Sequence, residues 1–322
     1  MSRLASGAAL FFLVYAATGS AHDFGGSSGG AFPGRNGEIV FTALPGPQVY
    51  VMHVDGTRLQ AITKPLRGAS IYPAPRWSPD GERILYVSGR SSGQLYVMRA
   101  DGTGVRRVTH DRWDYNFPAW SPTGRRIAFY REKGSGSGYG IWAMNINGTG
   151  LQRLTDVPSD ASPAWSPDGS MIAFQRFVDG VGIAIWLMDA DGGNQVQLTT
   201  PLTTSIREQN DWRPDWSPGG DWIAFERQFG RVDCDQRDCG ARTSDIYVIR
   251  ADGTSLRRLT KSGDSVEPRW SPDGKRIVFV RTRASKKEQR DLIYLMRADG
   301  TGQTRLTRAL FAADQPDWQS RP

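Results

Sequence analysis

The sequence predicts an all-β protein: a six-bladed β-propeller of four-stranded antiparallel blades, closed by pairing the C-terminal strand with three N-terminal strands. Three observations predict it. A Trp-Ser-Pro motif recurs at Trp77, Trp120, Trp165, Trp216 and Trp270, and a shortened copy closes the chain at Pro316-Asp317-Trp318. Each interval between copies reads as four short strands. The two chain ends are complementary fragments of one further unit. Successive tryptophans lie 43, 45, 51, 54 and 48 residues apart, and units too small to bury a core alone must stack on their neighbours.

The copy at Trp77 shows how one unit is built. Ser78-Pro79-Asp80-Gly81 is turn chemistry, with Pro presetting φ and Gly accepting a positive one. It joins the extended piece Ala74–Trp77 to Arg83-Ile84-Leu85-Tyr86-Val87, making a hairpin. A polar loop leads to Gln94–Arg99, rich in β-formers. The tight turn Asp101-Gly102-Thr103-Gly104 then opens a fourth strand, Val105–Thr109. Later copies repeat the third strand as Ile141–Met144, Ile185–Met188, Ile246–Ile249 and Ile293–Met296. They end the fourth in Leu-Thr at Thr155, Thr199, Thr260 and Thr307. Periodic four-stranded units imply radial stacking.

The ends set the blade number. Asn36–Phe41 matches a second strand without a Trp strand before it; Val49–Met52 and Ala61–Thr63 follow as third and fourth. Trp318 belongs to a first strand with no hairpin after it. Joined, the fragments make blade 1 and close a ring of six.

Composition points to a ring outside the cytoplasm. Arg3, the apolar run Leu4–Ala17 and the small residues to Ala21 describe a secretory signal peptide over 1–21. The apolar run is shorter than the ~20 residues a membrane span needs, so no stable membrane anchor is expected. Residues 22–36 read as a flexible Gly/Ser-rich linker and 37–322 as the propeller. Cys234 and Cys239, the two cysteines of the chain, are expected to close a small disulfide loop; a two-Cys metal site would lack further nearby ligands. The formal charge of +7 falls to +6 without Arg3, and its Lys and Arg are scattered. That pattern suits solvated strand faces better than nucleic acid binding.

The repeated P-x-W-S-P-D-G-x-x-I-x-F, I-Y-x-M and D-G-T-x-x-x-x-L-T pattern resembles the TolB-type, WD40-like β-propellers, from Gly37 to the C-terminus. The resemblance implies a propeller without the N-terminal α/β domain of TolB itself, and leaves a role in the Tol–Pal envelope system open.

Candidate functional residues lie where the copies differ. The crossovers between blades and the loops between second and third strands should share one face, and length varies there: Arg227 to Asp245 and Thr199 to Arg213 are extended. Variable loops on a rigid repeat commonly bind partners. The crossovers supply Tyr72, Arg112, Trp113, Tyr115, Asp160, Arg207, Asp211, Trp212, Glu267 and Asp314 as candidate ligand-binding residues. Together they would make an aromatic and charged mouth suited to a peptide or glycan. The repeated tryptophans read as inter-blade core, since a binding role needs no six equivalent copies.

Signals for catalysis are thin. The three histidines are His22, His53 and His110, and no G-x-S-x-G sits between a strand and a helix, as a nucleophile elbow does. Asp189-Ala190-Asp191-Gly192 lacks the rest of a calcium-loop spacing and occupies the same turn as the other Asp-Gly copies. The expectation is a monomeric, non-enzymatic, periplasmic or secreted binding propeller for a protein, peptide or cell-envelope polymer, with no cofactor and no metal. The alternative is a propeller hydrolase or lyase acting on a glycan at the channel mouth.

Overall fold

The computed structural model describes residues 30–43, 48–64, 74–89, 92–133, 138–204, 207–231, 242–284, 289–307 and 312–321. These residues form six antiparallel sheets of four strands each and no helix. Blades 2 to 6 each take four consecutive strands. Their innermost strands are Arg76–Trp77, Asp114–Trp120, Ala161–Trp165, Arg207–Trp216 and Ser265–Trp270. Blade 1 takes its inner strand, Ala313–Arg321, from the C-terminus and pairs it with Arg35–Ala43, as the complementary ends predict. Trp318 pairs with Ile39 in that seam.

The core is divided between the blades. Six apolar clusters fill the six interfaces, and each holds one repeated tryptophan: Trp77, Trp120, Trp165, Trp216, Trp270 or Trp318. All six are at most 5% exposed. The indole N–H groups of Trp120, Trp216 and Trp318 donate to Arg76 O, Ala164 O and Arg269 O, each one blade back. The tryptophans are wedges between neighbours, and truncating one would cost about 3–5 kcal/mol.

The Leu-Thr endings also have a structural duty. The outermost strands are only two residues long and leave one amide of the third strand uncovered. In every blade a threonine Oγ1 accepts from that amide instead: Thr63 from Val49, Thr109 from Leu95, Thr155 from Ile141, Thr199 from Ile185, Thr260 from Ile246, Thr307 from Ile293. A buried amide without a partner costs more than the net worth of a hydrogen bond, so the threonine is kept.

The Trp-Ser-Pro turns and the Asp-Gly turns share one face. The amide just before the Asp-Gly turn donates to the loop closing the Trp-Ser-Pro hairpin, as in Ala100 to Glu82 O and Ala298 to Lys275 O. Crossovers and second-to-third loops share the other: the Tyr115 amide donates to Gly93 O.

Residues 1–29, which include the expected signal peptide, lie outside the described residues, as do Cys234 and Cys239. Only residues 30–36 of the expected linker are described, with Gly30 and Ala31 buried and Pro33 and Arg35 exposed. Ala31 is 8% exposed, and the first strand already begins at Arg35.

Candidate functional site: the channel and its crossover mouth

Each blade carries x-Pro-y-Trp on its inner strand or leading into it: Ala74-Pro75-Arg76, Phe117-Pro118-Ala119, Ser162-Pro163-Ala164, Arg213-Pro214-Asp215, Glu267-Pro268-Arg269 and Gln315-Pro316-Asp317. The x residue takes a positive φ in all six blades, 44° at Ala74 and between 52° and 55° at the other five. This is a sparsely populated region for any side chain but glycine, and a position preceding proline is restricted further. The inner strand slips register at this point, as between Asn116 and Ala119 and between Trp212 and Asp215. The slip frees the x amide from its own blade, and in blades 1, 2 and 5 the preceding blade supplies an acceptor. Ala74 N donates to Gln315 Oε1 at 2.8 Å, Gln315 N to Glu267 Oε2 at 2.7 Å, and Arg213 N to Gln175 Oε1 at 3.2 Å.

The x side chains of Arg213, Glu267 and Gln315 thus link neighbouring blades on one side of the channel. Arg213 Nη1 meets Glu226 Oε2 at 2.8 Å, and its Nε lies 3.7 Å from Glu267 Oε1. Glu267 holds Gln315 through its amide, and Gln315 Oε1 also accepts from Thr42 Oγ1 at 3.2 Å. Glu226, Arg213, Glu267 and Gln315 form a belt across blades 5, 6 and 1. Blades 3 and 4 answer it with Phe117 and Ser162.

One level toward the Trp-Ser-Pro face, the y residues repeat the asymmetry. Asp215, Arg269, Asp317 and Arg76 follow one another from blade 5 through 6 and 1 to 2, alternating in charge; Ala119 and Ala164 stand on blades 3 and 4. Asp215 Oδ2 accepts from the Trp270 amide at 2.7 Å and Asp317 Oδ2 from the Trp77 amide at 2.8 Å, so each acid also joins its blade to the next. Burial pushes the Asp215 carboxyl up to about 8, against the pull of Arg269 and the Trp270 amide. Burial, then the like charge of Arg269, pushes the Arg76 guanidinium down to about 9. Asp215 Oδ1 has no hydrogen-bond partner among the described residues.

At the crossover end the belt collects carboxylates. Asp314 is raised well above the usual range by burial and by the charges of Glu267 and Asp291. Asp291 is pushed up to about 6 by burial and by Glu267. Glu226 is raised by burial, with Arg213 opposing. Asp291 Oδ1 and Asp314 Oδ1 have no hydrogen-bond partner among the described residues. The mouth thus gathers Glu226, Glu267, Asp291 and Asp314 around Arg213, an arrangement that favours an incoming cation over an anion. Among the described residues, no three His, Cys, Asp or Glu are placed to hold a metal ion.

The sequence candidates divide accordingly. Glu267 and Asp314 come together at this mouth. Asp160 and Asp211 are fully buried inside blades 4 and 5, both oxygens of each held by one arginine: Arg176 at 2.6 and 2.6 Å, Arg227 at 2.6 and 2.7 Å. Tyr115 is buried as well, its hydroxyl on Asp111. Trp113 is half-buried beneath the Arg131 guanidinium, 4.2 Å from its ring centre, and Arg112 is exposed beside it. Trp212 is half-buried and opposite Glu226 in the strand pairing. Tyr72 and the Arg207 side chain lie outside the described residues.

The residues that complete the mouth, Arg213, Glu226 and Asp291, are absent from that set. Arg213 had a signal: x and y are the two positions of x-Pro-y-Trp that change from copy to copy. Glu226 and Asp291 sit on second and third strands and look like ordinary strand polarity.

Known proteins agree with this architecture. A curated relative, an uncharacterised protein of Agrobacterium fabrum, is 30% identical over 224 residues, covering 65% of this chain and 66% of its own length. The solved TolB of Acinetobacter baumannii superposes with a TM-score of 0.69 at 20% identity, covering 88% of this chain and 67% of that one. An oligogalacturonate lyase from Vibrio parahaemolyticus shares the fold, with a TM-score of 0.56 at 12% identity over 88% of this chain and 78% of its own. The TolB beta propeller domain family matches residues 31–218, more than half of the chain, and the protein belongs to that family.

Proposed function

We propose that this protein is an exported, non-enzymatic binding propeller that takes a protein or peptide partner at its crossover face. One observation carries the reading: the mouth sets Glu226, Glu267, Asp291 and Asp314 against Arg213 on one wall, opposite the uncharged Phe117 and Ser162 of blades 3 and 4. A partner fitting both walls presents a cationic group, such as a lysine or arginine side chain, next to apolar surface. Trp113 and Arg112 on a crossover of the same face, and Trp212 on the inner strand opposite Glu226, would extend the contact. Export rests on the signal-like residues 1–21. The TolB relationship agrees with a location outside the cytoplasm, and no helix among the described residues is long and apolar enough to cross a membrane.

The test is capture from cell-envelope extracts by the chain without residues 1–21, beside Glu267→Gln/Asp314→Asn and Trp113→Ala/Trp212→Ala variants shown by circular dichroism to be folded. Loss of the same partner in the carboxylate variant supports the reading. Undiminished recovery by both variants refutes it. The fold shared with oligogalacturonate lyases leaves the glycan-degrading alternative, which unsaturated product released from an oligogalacturonate would reveal.

A further inference from the structure

Residues 30–34 run across the Trp-Ser-Pro end of the ring. The Ala31 amide donates to Trp216 O at 3.1 Å and the Gly34 amide to Pro272 O at 3.3 Å, so blades 5 and 6 are both engaged. Ser320 Oγ in blade 1 donates to Pro33 O at 2.9 Å. Gly30 lies so close to blade 4 that a Cβ would sit 2.0 Å from Trp165 O. Neighbouring side chains on an extended chain point to opposite sides, and here they reach opposite interfaces of the ring. Ala31 joins the cluster between blades 5 and 6, while Phe32 packs against the cluster between blades 2 and 3. Those interfaces are half a turn apart: the backbone passes blades 4, 5, 6 and 1 in turn, while the Phe32 ring reaches the far side of the channel end.

We propose that the Trp-Ser-Pro end of the channel is an acceptor site for a short extended peptide, and that the chain's own Gly30-Ala31-Phe32-Pro33-Gly34 fills it in cis. The site's chemistry matches this occupant. The carbonyls of Trp216 and Pro272, at the ends of inner strands, take amides; small residues fit at Gly30 and Ala31; an apolar seam takes the phenyl ring. With this end stoppered, the channel is entered from the crossover face alone, and the Asp215–Arg269–Asp317–Arg76 arc forms its closed floor. The inference is independent of which partner binds at the crossover mouth.

Two measurements decide it. In hydrogen exchange on the exported chain, the Ala31 and Gly34 amides should exchange roughly tenfold or more slowly than in a free peptide of the same sequence; free-peptide rates overturn the proposal. Gly30→Val puts a branched side chain where even a methyl has no room and should expel the segment. A fluorescent peptide with the sequence of residues 28–36 should then bind the variant saturably and the wild type at least tenfold more weakly. Equal binding to the two proteins, or to neither, overturns the acceptor site. A wild type that is dimeric where the variant is monomeric would show the segment donated to a second copy and overturn its placement in cis. If the variant does not fold, the exchange experiment on the unaltered chain stands alone as the decision.

Discussion

Replacing Asp291 by asparagine isolates the electrostatics of the mouth. Asp291 is pushed from 3.8 up to about 6 by burial and by the charge of Glu267. A folded-state pKa above the unfolded one means that the native state holds its proton more tightly, so ionisation opposes folding. The sign follows: below about pH 4 the group is protonated in both states and costs nothing. The cost grows as pH rises from about 4 to 6 and is constant above. A rise of this size corresponds to about 3 kcal/mol, reduced to about 2 kcal/mol because the site is half-open to water. The Asp291→Asn variant is expected to be neutral or slightly destabilised at pH 4 and stabilised by about 2 kcal/mol at pH 7.5. Urea unfolding of both proteins at the two pH values measures this directly.

A ΔΔG that does not change between pH 4 and 7.5 would refute the reasoning, because a packing or hydrogen-bond effect of the amide is independent of pH. The same group connects stability to binding. A cation seated at the mouth favours ionised carboxyls, so a cationic partner should bind more tightly as pH rises through about 6. The Asp291→Asn substitution should flatten that dependence.

Two further outcomes test the frame around the mouth. Asp211→Ala strips the buried Arg227 of both its acceptors and should destabilise by about 3–5 kcal/mol in urea unfolding. The Asp211→Leu/Arg227→Leu pair should cost less than the single change, since no charge is left uncompensated. Thr155→Val keeps shape but orphans the Ile141 amide; about 1–3 kcal/mol is expected, with faster exchange at that amide as the local readout.

The ring was legible because its signals repeat under one physical demand. A tryptophan wedges each interface, a threonine covers each short outer strand, and a glycine takes positive φ in each turn, so six copies report the same duty. The charged contacts were legible only in part. Asp160 and Asp211 look like mouth residues from their place in the crossovers. Their partners are nevertheless written in the sequence two positions after the second-strand aromatic: Phe174-Gln175-Arg176 and Phe225-Glu226-Arg227, with Phe129-Tyr130-Arg131 and Phe279-Val280-Arg281 in the same register. An arginine there stacks on its own blade's aromatics, as Arg176 does 4.7 Å over Trp186, and draws in a crossover acid. Glu267 and Asp314 were named, but their meeting with Asp291 depends on the closure of blade 6 onto blade 1, which links residues remote in sequence. The packing of Ala31 and Phe32 was hidden for a similar reason. Glycine-rich composition signals freedom from strand structure, and says nothing about a carbonyl as close as Trp165 O, beside which only glycine fits at position 30.

Strain in the inner strands has to be weighed against this repetition. Non-glycine residues at positive φ commonly mark functional sites, and each of the six x residues carries about 1–2 kcal/mol of it. Yet Ala74 and Phe117, which bring no polar side chain to the channel, adopt the same conformation as Arg213, Glu267 and Gln315. The strain therefore belongs to the architecture: it lets the inner strand slip register and hand an amide to the preceding blade. Because every blade already bears that cost, the side chain at x can change without a new backbone penalty. A ring built this way can confine the charges at x and y to blades 5, 6, 1 and 2, leave those positions uncharged on blades 3 and 4, and so make a directional site from six nearly identical parts.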